Sequence, residues 1–234
     1  MKDAVIIEAV RTPFAKYNGA FRDIPANKLL ANALESVVSR SGIDKEKIED
    51  VIAGSVTQIG EQAADIARQS SLMAGFPVEV AGVTLNRFCG SGQQAVHFGS
   101  QVIDAGDANY IIACGAESMT RVAMLTDMTL GEPYKDFAHQ GVSAELIADK
   151  WGISRADVDA FAIDSHAKAQ AAINTGANKE ISPMQGLDKE GNSIILEADE
   201  GVRAVIDSDK LSSLKTIFRP KGDGVVTAGN ASQI

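Results

Sequence analysis

Nearly continuous apolar runs alternate with amphipathic stretches along the first half of the chain. Such runs are typical of strands buried on both faces of a sheet, and four of them occur: 4–10, 50–56, 80–85 and 110–116. Between these runs, apolar residues recur three and four positions apart and predict three helices: 25–42, 63–74 and 90–105. Strands that alternate with helices of this length indicate βαβ units, right-handed crossovers and a mainly parallel sheet. The pattern therefore predicts an α/β fold, βαβαβαβ, with helices on both faces of the sheet.

The second half of the chain has few long apolar runs. Helical spacing predicts two helices, 142–151 and 155–174, and Ser154 with Asp157 forms a capping-box-like start to the second one. The other predicted features are short: a loop at 131–134, short extended pieces framed by 180–183 and 191–193, and an amphipathic stretch at 211–218. We therefore predict two domains, an α/β domain over 1–118 and a mostly helical, inserted loop or lid domain over 119–234.

Composition narrows the function classes. The 234 residues are 45% apolar and 23% charged, which is ordinary for a globular protein, and the net charge of −9 argues against a nucleic-acid partner. No apolar run approaches the roughly 20 residues of a membrane span, and Asp3 makes the N-terminus too acidic for a signal peptide, so we expect no membrane partner. The two cysteines, Cys89 and Cys114, form no CxxC pair. We therefore expect no metal site, no disulfide framework and a cytoplasmic location.

Cys89 lies on a predicted strand-to-helix turn, where the positive end of the helix dipole favours the nucleophilic thiolate. Gly90 and Gly92 have no Cβ, so backbone N–H groups there can approach a bound carbonyl closely. The alternative is an inert core cysteine, the commoner role for this residue type. Cys114 lies inside a predicted strand, and we interpret it as such a core residue.

The segment 86–92, Asn-Arg-Phe-Cys-Gly-Ser-Gly, resembles the nucleophile motif of the thiolases, the acyl-CoA C-acyltransferases. Further stretches resemble the family in the same order along the chain: 8–14, 106–119, 139–145, 153–155, 165–169 and 226–232. The resemblance implies a thiolase-like half with a mainly parallel or mixed sheet and an inserted, mostly helical loop domain. Because none of the motifs of the family's second half follows, we expect the chain to be truncated before the last strand of its first half.

The resemblance also implies a mechanism and a substrate class. Cys89 attacks an acyl-CoA or 3-ketoacyl-CoA and becomes acylated, and its backbone N–H helps to hold the oxyanion. The acyl group then passes to CoA in thiolysis, as in fatty acid metabolism, or to the carbanion of a second acyl-CoA in Claisen condensation. Coenzyme A and acyl-CoA are substrates, and no covalently bound cofactor is expected. The family's substrate-binding residues correspond to these positions: His139, Gln140, Arg203, Ala228, Gly229 and Ser232.

Two departures from the family matter. Gln140 stands where short-chain biosynthetic thiolases usually have Met, which favours a 3-ketoacyl-CoA thiolase over an acetoacetyl-CoA synthesiser. The family's second half carries the His that activates the nucleophile and a second Cys that serves as acid and base, and neither motif occurs here. We therefore expect the isolated chain to be inactive. The resemblance to full-length family members also implies a dimer or tetramer.

Two alternatives remain open. A Cys–His hydrolase could use Cys89 with His139, since His97 fits a structural role and His166 a solvated or packing role. The chain could instead be a truncated, non-catalytic domain with at most weak CoA binding.

Overall fold

The computed structural model describes residues 3–127, 139–219 and 223–232, and the chain divides into two compact units. Unit 1 comprises Met1–Met128 and Glu180–Ala198, and unit 2 comprises Thr129–Lys179 and Asp199–Ile234. The domain boundary after residue 118 stays a prediction, and the packing adds that 180–198 belongs with the first unit. The loop predicted at 131–134 lies outside the described residues.

Unit 1 is built on a parallel sheet of three strands, β1 (Asp50–Gly54), β2 (Ala81–Leu85) and β3 (Ile111–Gly115), in the order β2-β1-β3. The register places Ile52 of β1 beside Val83 on one side and Ala113 on the other. The central strand is buried along most of its length, as its continuous apolar run predicted. The predicted α/β class and the parallel pairing are confirmed.

Helices cover both faces of this sheet: α1 (Ala26–Ser41), α2 (Ile66–Met73) and α3 (Ser91–Ala105). Val51 and Ala53 belong to the buried cluster formed with α1 and α2, and side chains alternate along a strand, so Ile52 faces the opposite side. On that side α3 packs against the sheet, where Gly99 lies directly over Ile111. All three predicted helices of this half are therefore present.

The strand predicted over 4–10 is wrong. The segment belongs to no strand, and its apolar side chains are largely exposed: Val5 73%, Ile6 80% and Ile7 59%. A strand forms only where another strand presents its backbone N–H and C=O groups in register. The Ala4 N–H instead donates to the Asp104 side chain, and a backbone bridge forms only after the segment, between Arg11 and Ile181.

The other elements of the described residues are two short strands, three α-helices and two 3₁₀ turns, at Lys45–Lys47 and Gly60–Gln62. The hairpin β4 (Met184–Leu187) and β5 (Ser193–Leu196) belongs to unit 1 and confirms the predicted extended pieces. Unit 2 contains α4 (Gln140–Trp151), α5 (Arg155–Thr175) and α6 (Ser208–Ser212). The capping box is confirmed, because Ser154 and Asp157 each accept the other's backbone N–H.

None of the helices in the described residues is long and apolar enough to cross a membrane. Across these same stretches of the chain, no group of three or more His, Cys, Asp or Glu side chains is placed to hold a metal ion.

Candidate active site

Cys89 lies at the carboxyl ends of the parallel strands, in the turn that joins β2 to α3, and it is exposed. Ligands of parallel α/β sheets bind at this edge, because the loops that follow the strands converge there. The position predicted for the nucleophile is thus one where a substrate can reach it.

The turn around Cys89 adopts a constrained backbone. Phe88 has a φ of +48°, in the left-handed region that a bulky residue rarely adopts. Ser91, which is almost fully buried, stabilises this conformation: its Oγ accepts the Arg87 N–H at 2.8 Å and donates to the Phe88 carbonyl at 2.6 Å. Asn86 Oδ1 accepts the Phe88 N–H at 2.8 Å. Two polar side chains therefore hold the residue that precedes the nucleophile.

Gly54 lets the amino terminus of α3 approach the end of β1. A Cβ built on Gly54 would lie 2.6 Å from the carbonyl carbon of Ser91 and 2.7 Å from the nitrogen of Gly92. No side chain fits at this position without moving the helix backbone. The close approach places the positive end of α3 immediately after Cys89, where the dipole favours negative charge.

Glu117 joins the ends of two strands on the same edge. Its carboxylate accepts the Val56 N–H at 2.7 Å, and Gln62 donates to it at 2.6 Å. Gln62 in turn accepts the Ser118 N–H at 2.7 Å. The acid that follows β3 is therefore bound to the loop that follows β1, which gives it a structural role within unit 1.

Cys114 differs from Cys89 in its exposure and its contacts. It is partly buried, packs against the core cluster, and its thiol donates to the Ile52 carbonyl at 3.6 Å. Burial raises the pKa of the Cys114 thiol to about 12, because the thiolate would lose its hydration.

His139 is the N-cap residue of α4 in unit 2 and lies immediately before the helix. Its Nδ1 accepts the Gly141 N–H at 3.1 Å, which caps the helix, so the neutral imidazole carries its proton on Nε2 and can donate from there. Its ring stacks on Phe218 with 5.1 Å between the ring centroids. His139 and Gln140 are both exposed.

We expect Gly141→Ala to displace Phe218 from His139 and to destabilise unit 2 by about 2 kcal/mol, because the added Cβ would lie 2.1 Å from the Phe218 ring. Denaturant unfolding followed by the fluorescence of Trp151, the single tryptophan, measures the change. The double variant Gly141→Ala/Phe218→Leu should recover part of the loss. Equal stabilities of Gly141→Ala and the unmodified chain would contradict the prediction.

The segment 225–230 lies beside Phe218 in the same unit. The Ile217 N–H donates to the Val226 carbonyl at 3.0 Å, and Asn230 Oδ1 accepts the Thr227 N–H at 2.8 Å. Ala228 and Ser232 are exposed, and Gly229 is half-buried against α6. His139 is therefore linked to the segment that carries Ala228 and Gly229 through Phe218 and its neighbour Ile217. We refer to His139, Gln140 and residues 225–232 as the unit 2 cluster.

Arg203 contacts a different element. Its backbone N–H donates to His166 Nδ1 on α5 at 3.2 Å, and its side chain is exposed. His97 is exposed on α3 in unit 1. Among the seven predicted site residues, Cys89 belongs to unit 1 and the other six belong to unit 2.

A cavity of about 570 Å³ lies at the other end of unit 1. Val5, Ile7, Glu49 and Tyr110 are among the residues that line it, and the last two immediately precede β1 and β3. It is therefore at the amino ends of the strands, whereas the candidate nucleophile is at their carboxyl ends.

Sequence reasoning missed three residues that shape the Cys89 turn and the unit 2 cluster: Ser91, Phe218 and Glu145. The Glu145 carboxylate accepts the Val225 and Val226 N–H groups. Ser91 and Glu145 lie inside motifs that were recognised as patterns without a role for each member. Phe218 was part of an amphipathic stretch, and its stacking on His139 depends on the absence of a side chain at Gly141.

Comparison with known proteins identifies a consistent set of relatives. A family model described as "Thiolase, N-terminal domain" matches residues 4–234. The chain is 38% identical to a 3-ketoacyl-CoA thiolase of Marinomonas sp. (strain MWYL1) over 99% of its own length and 61% of that protein. It is 37% identical to an acetyl-CoA acetyltransferase of Pseudomonas aeruginosa over 100% of its length and 64% of that protein.

A solved structure agrees with these relatives. The crystal structure of the Bacillus anthracis acetyl-CoA acetyltransferase superposes with a TM-score of 0.88 at 31% identity and covers 100% of this chain and 63% of that one. The chain thus spans less than two thirds of the length of the relatives that it matches.

Proposed function

Since the chain belongs to the thiolase family, as the motifs predicted, we propose that it supplies the nucleophile, Cys89, of a thiolase-type acyl-CoA C-acyltransferase. The Cys89 sulfur forms a bond to the acyl carbonyl carbon. In thiolysis the carbon–carbon bond of a 3-ketoacyl-CoA breaks, and the leaving acetyl-CoA carbanion takes up one proton, which balances the proton that the Cys89 thiol loses. The acyl group then passes from Cys89 to the sulfur of CoA, or in the reverse direction to the carbanion of an acyl-CoA.

The observation that carries this proposal is the nucleophile turn. An exposed cysteine directly before a helix amino terminus, on a backbone held by Ser91 and Asn86, has the access and the local dipole that acyl transfer needs. The backbone N–H of Cys89 itself is the proposed donor to the oxyanion. A surface cysteine with no role would not require a strained residue before it.

The unit 2 cluster is the proposed site for the CoA-linked part of the substrate. His139 can donate from Nε2, and Gln140, Ala228 and Ser232 present exposed polar and small groups that suit a pantetheine arm and acyl chain. Arg203 is the proposed partner of the CoA nucleotide, because its cationic side chain is exposed. The amide of Gln140 supports a 3-ketoacyl-CoA substrate, and the relatives named above include both thiolase types.

Compartment and assembly are part of the proposal. Both cysteines are free thiols, which suits the reducing cytoplasm. The family resemblance supports a dimer or tetramer. We further propose that this chain alone completes no catalytic cycle, because the activating His and the acid/base Cys of the family have no counterpart motifs in it.

Acyl transfer from acetyl-CoA to the chain tests the proposal. Peptide mapping is expected to find the acetyl group on Cys89, to lose it in Cys89→Ser and to retain it in the matched variant Cys114→Ser. Acetoacetyl-CoA with CoA should show no sustained turnover. An acetyl group on another residue would contradict the role of Cys89 as the nucleophile. Ordinary thiolysis by the isolated chain would contradict the expectation that it completes no catalytic cycle.

The same experiment separates the alternatives. Release of acetate from acetyl-CoA that depends on both Cys89 and His139 would indicate a Cys–His hydrolase. The hydrolase hypothesis has little support, because His139 Nδ1 already accepts a hydrogen bond from the Gly141 N–H. No acylation and no CoA binding would indicate a non-catalytic domain.

A further inference from the structure

Glu145 is a fully buried acid whose carboxylate is bound to the backbone of one short segment. It lies on α4, six residues after His139, and its exposed fraction is 0%. Its Oε2 accepts the Val225 N–H at 2.9 Å, and its Oε1 accepts the Val226 N–H at 2.9 Å. Arg219, a cation of the same unit, attracts Glu145 electrostatically but forms its hydrogen bonds with both oxygens of Asp149 and lowers the pKa of that acid. Backbone N–H groups therefore supply the hydrogen bonds that the buried carboxylate needs.

A second buried acid holds the other end of the same segment. Asp159 on α5 is 8% exposed, and its Oδ1 accepts the Asn230 side-chain amide at 2.7 Å. Its other oxygen accepts from Arg155 at 2.8 Å. The Asn230 amide also donates to the Val225 carbonyl at 2.9 Å, so the two ends of 225–230 are joined to each other.

Two glycines let the chain approach Glu145 and α6 closely. A Cβ built on Gly224 would lie 2.6 Å from Glu145 Oε1, and a Cβ on Gly229 would lie 2.3 Å from the Leu211 side chain. The segment thus lies directly on the carboxylate at one end and on α6 at the other. The missing side chains of Gly224 and Gly229 therefore allow the segment to pack against Glu145 and α6.

We propose that Glu145 is a positioning residue, which fixes the backbone of 225–230 and thereby sets Ala228 and Gly229 for an acyl-CoA ligand. A buried carboxylate is destabilising unless it is hydrogen-bonded, and bonds to a charged acceptor are stronger than neutral ones. Any displacement of the segment would leave the charge without donors, so the segment is held in one conformation. The role toward acyl-CoA rests on the proposed function, whereas the effect on the segment does not.

The test compares four forms of the chain: unmodified, Glu145→Gln, Gly224→Ala and the control Glu79→Gln, an exposed acid in unit 1. Residue-resolved amide exchange by NMR is expected to be about tenfold or more faster at Val225 and Val226 in both unit 2 variants. The amide proton signals of these two residues should also move upfield in Glu145→Gln, because a neutral acceptor replaces a charged one. Amides of α5 should keep their protection, and the control should change nothing.

Two results would overturn the proposal. One is unchanged exchange at Val225 and Val226 in Glu145→Gln. The other is an equal loss of protection across α5 and the segment in both variants, because Glu145 would then support the whole unit. Gly224→Ala keeps the Glu145 carboxylate and changes only how closely residue 224 approaches it. This variant therefore tests how the segment is held even if Glu145→Gln unfolds unit 2.

Binding of CoA, measured by titration calorimetry, tests the functional half. The affinity should fall about tenfold in Glu145→Gln and remain unchanged in the Glu79→Gln control. Unchanged affinity alongside faster exchange would overturn the role toward the ligand. A failure of the unmodified chain to bind CoA would count against the proposed function, while the exchange result would still decide the positioning role.

Discussion

Iodoacetamide is expected to alkylate Cys89 about a thousandfold or more faster than Cys114 in the folded chain. Alkylation needs the thiolate, and a Cys114 pKa of about 12 leaves only about one thiol in ten thousand ionised at pH 8. An ordinary thiol, with a pKa of about 8.5, is ionised to a substantial fraction at this pH. Cys89 is also exposed, whereas Cys114 packs against the core cluster and its thiol donates a hydrogen bond to the Ile52 carbonyl.

Timed labelling at pH 8 followed by peptide mapping measures the two rates. The chain unfolded in urea is the control, because both cysteines should then react at comparable rates. The ratio should also narrow as the pH approaches 12, since Cys114 then ionises. Equal labelling of the two cysteines in the folded chain would remove the argument that Cys89 is the accessible nucleophile.

Gly54→Ala is expected to destabilise unit 1 by about 3 kcal/mol, a large loss for a single methyl group. Its Cβ would overlap backbone atoms of Ser91 and Gly92, and a backbone cannot move aside as the end of a flexible side chain can. To relieve the overlap, the amino terminus of α3 would have to move away from β1. The Cys89 turn, which Ser91 stabilises, would then loosen as well.

Gly92→Ala is the matched control, because nothing lies within 4 Å of a Cβ at that position in the first turn of α3. This change should be neutral or stabilise by up to about 1 kcal/mol, since alanine favours helices over glycine. Trp151 lies in unit 2, so far-UV circular dichroism and amide exchange of α3 are the suitable measurements. Equal unfolding midpoints for Gly54→Ala and Gly92→Ala would refute the prediction.

The two regions differ in how their residues are held. The Cys89 turn depends on contacts within a few residues and on the missing side chain of Gly54. The segment 225–230 depends on acids from two helices that are distant in the sequence, Glu145 and Asp159. Local contacts produce motifs with fixed spacing, whereas distant contacts leave no such pattern.

The helices were predicted well because their signals are local. Apolar spacing and a terminal glycine suffice to place α1, whose end at Gly42 has a φ of +69°. The capping box of α5 is likewise contained in four residues, Ser154 to Asp157. Such features depend on neighbouring residues and remain the same whatever packs around them.

The strand predicted over 4–10 shows the opposite case. Its apolar run is as continuous as that of β1, yet β1 has a paired strand on each side and the segment has none among the described residues. A run of apolar residues indicates a preference for burial. It forms a strand only when another strand pairs with it in register.

The α/β class, the places of α1 to α5, the family and the position of Cys89 all follow from the amino-acid sequence, because spacing, caps and the nucleophile motif are local properties of the chain. The side chains that hold the candidate site become visible only in the packed structure. It assigned Gly54 to the approach of α3, Phe218 to the stack on His139, and Glu145 to the backbone of 225–230. These contacts join residues far apart in the chain, and their geometry exists only after the elements have packed.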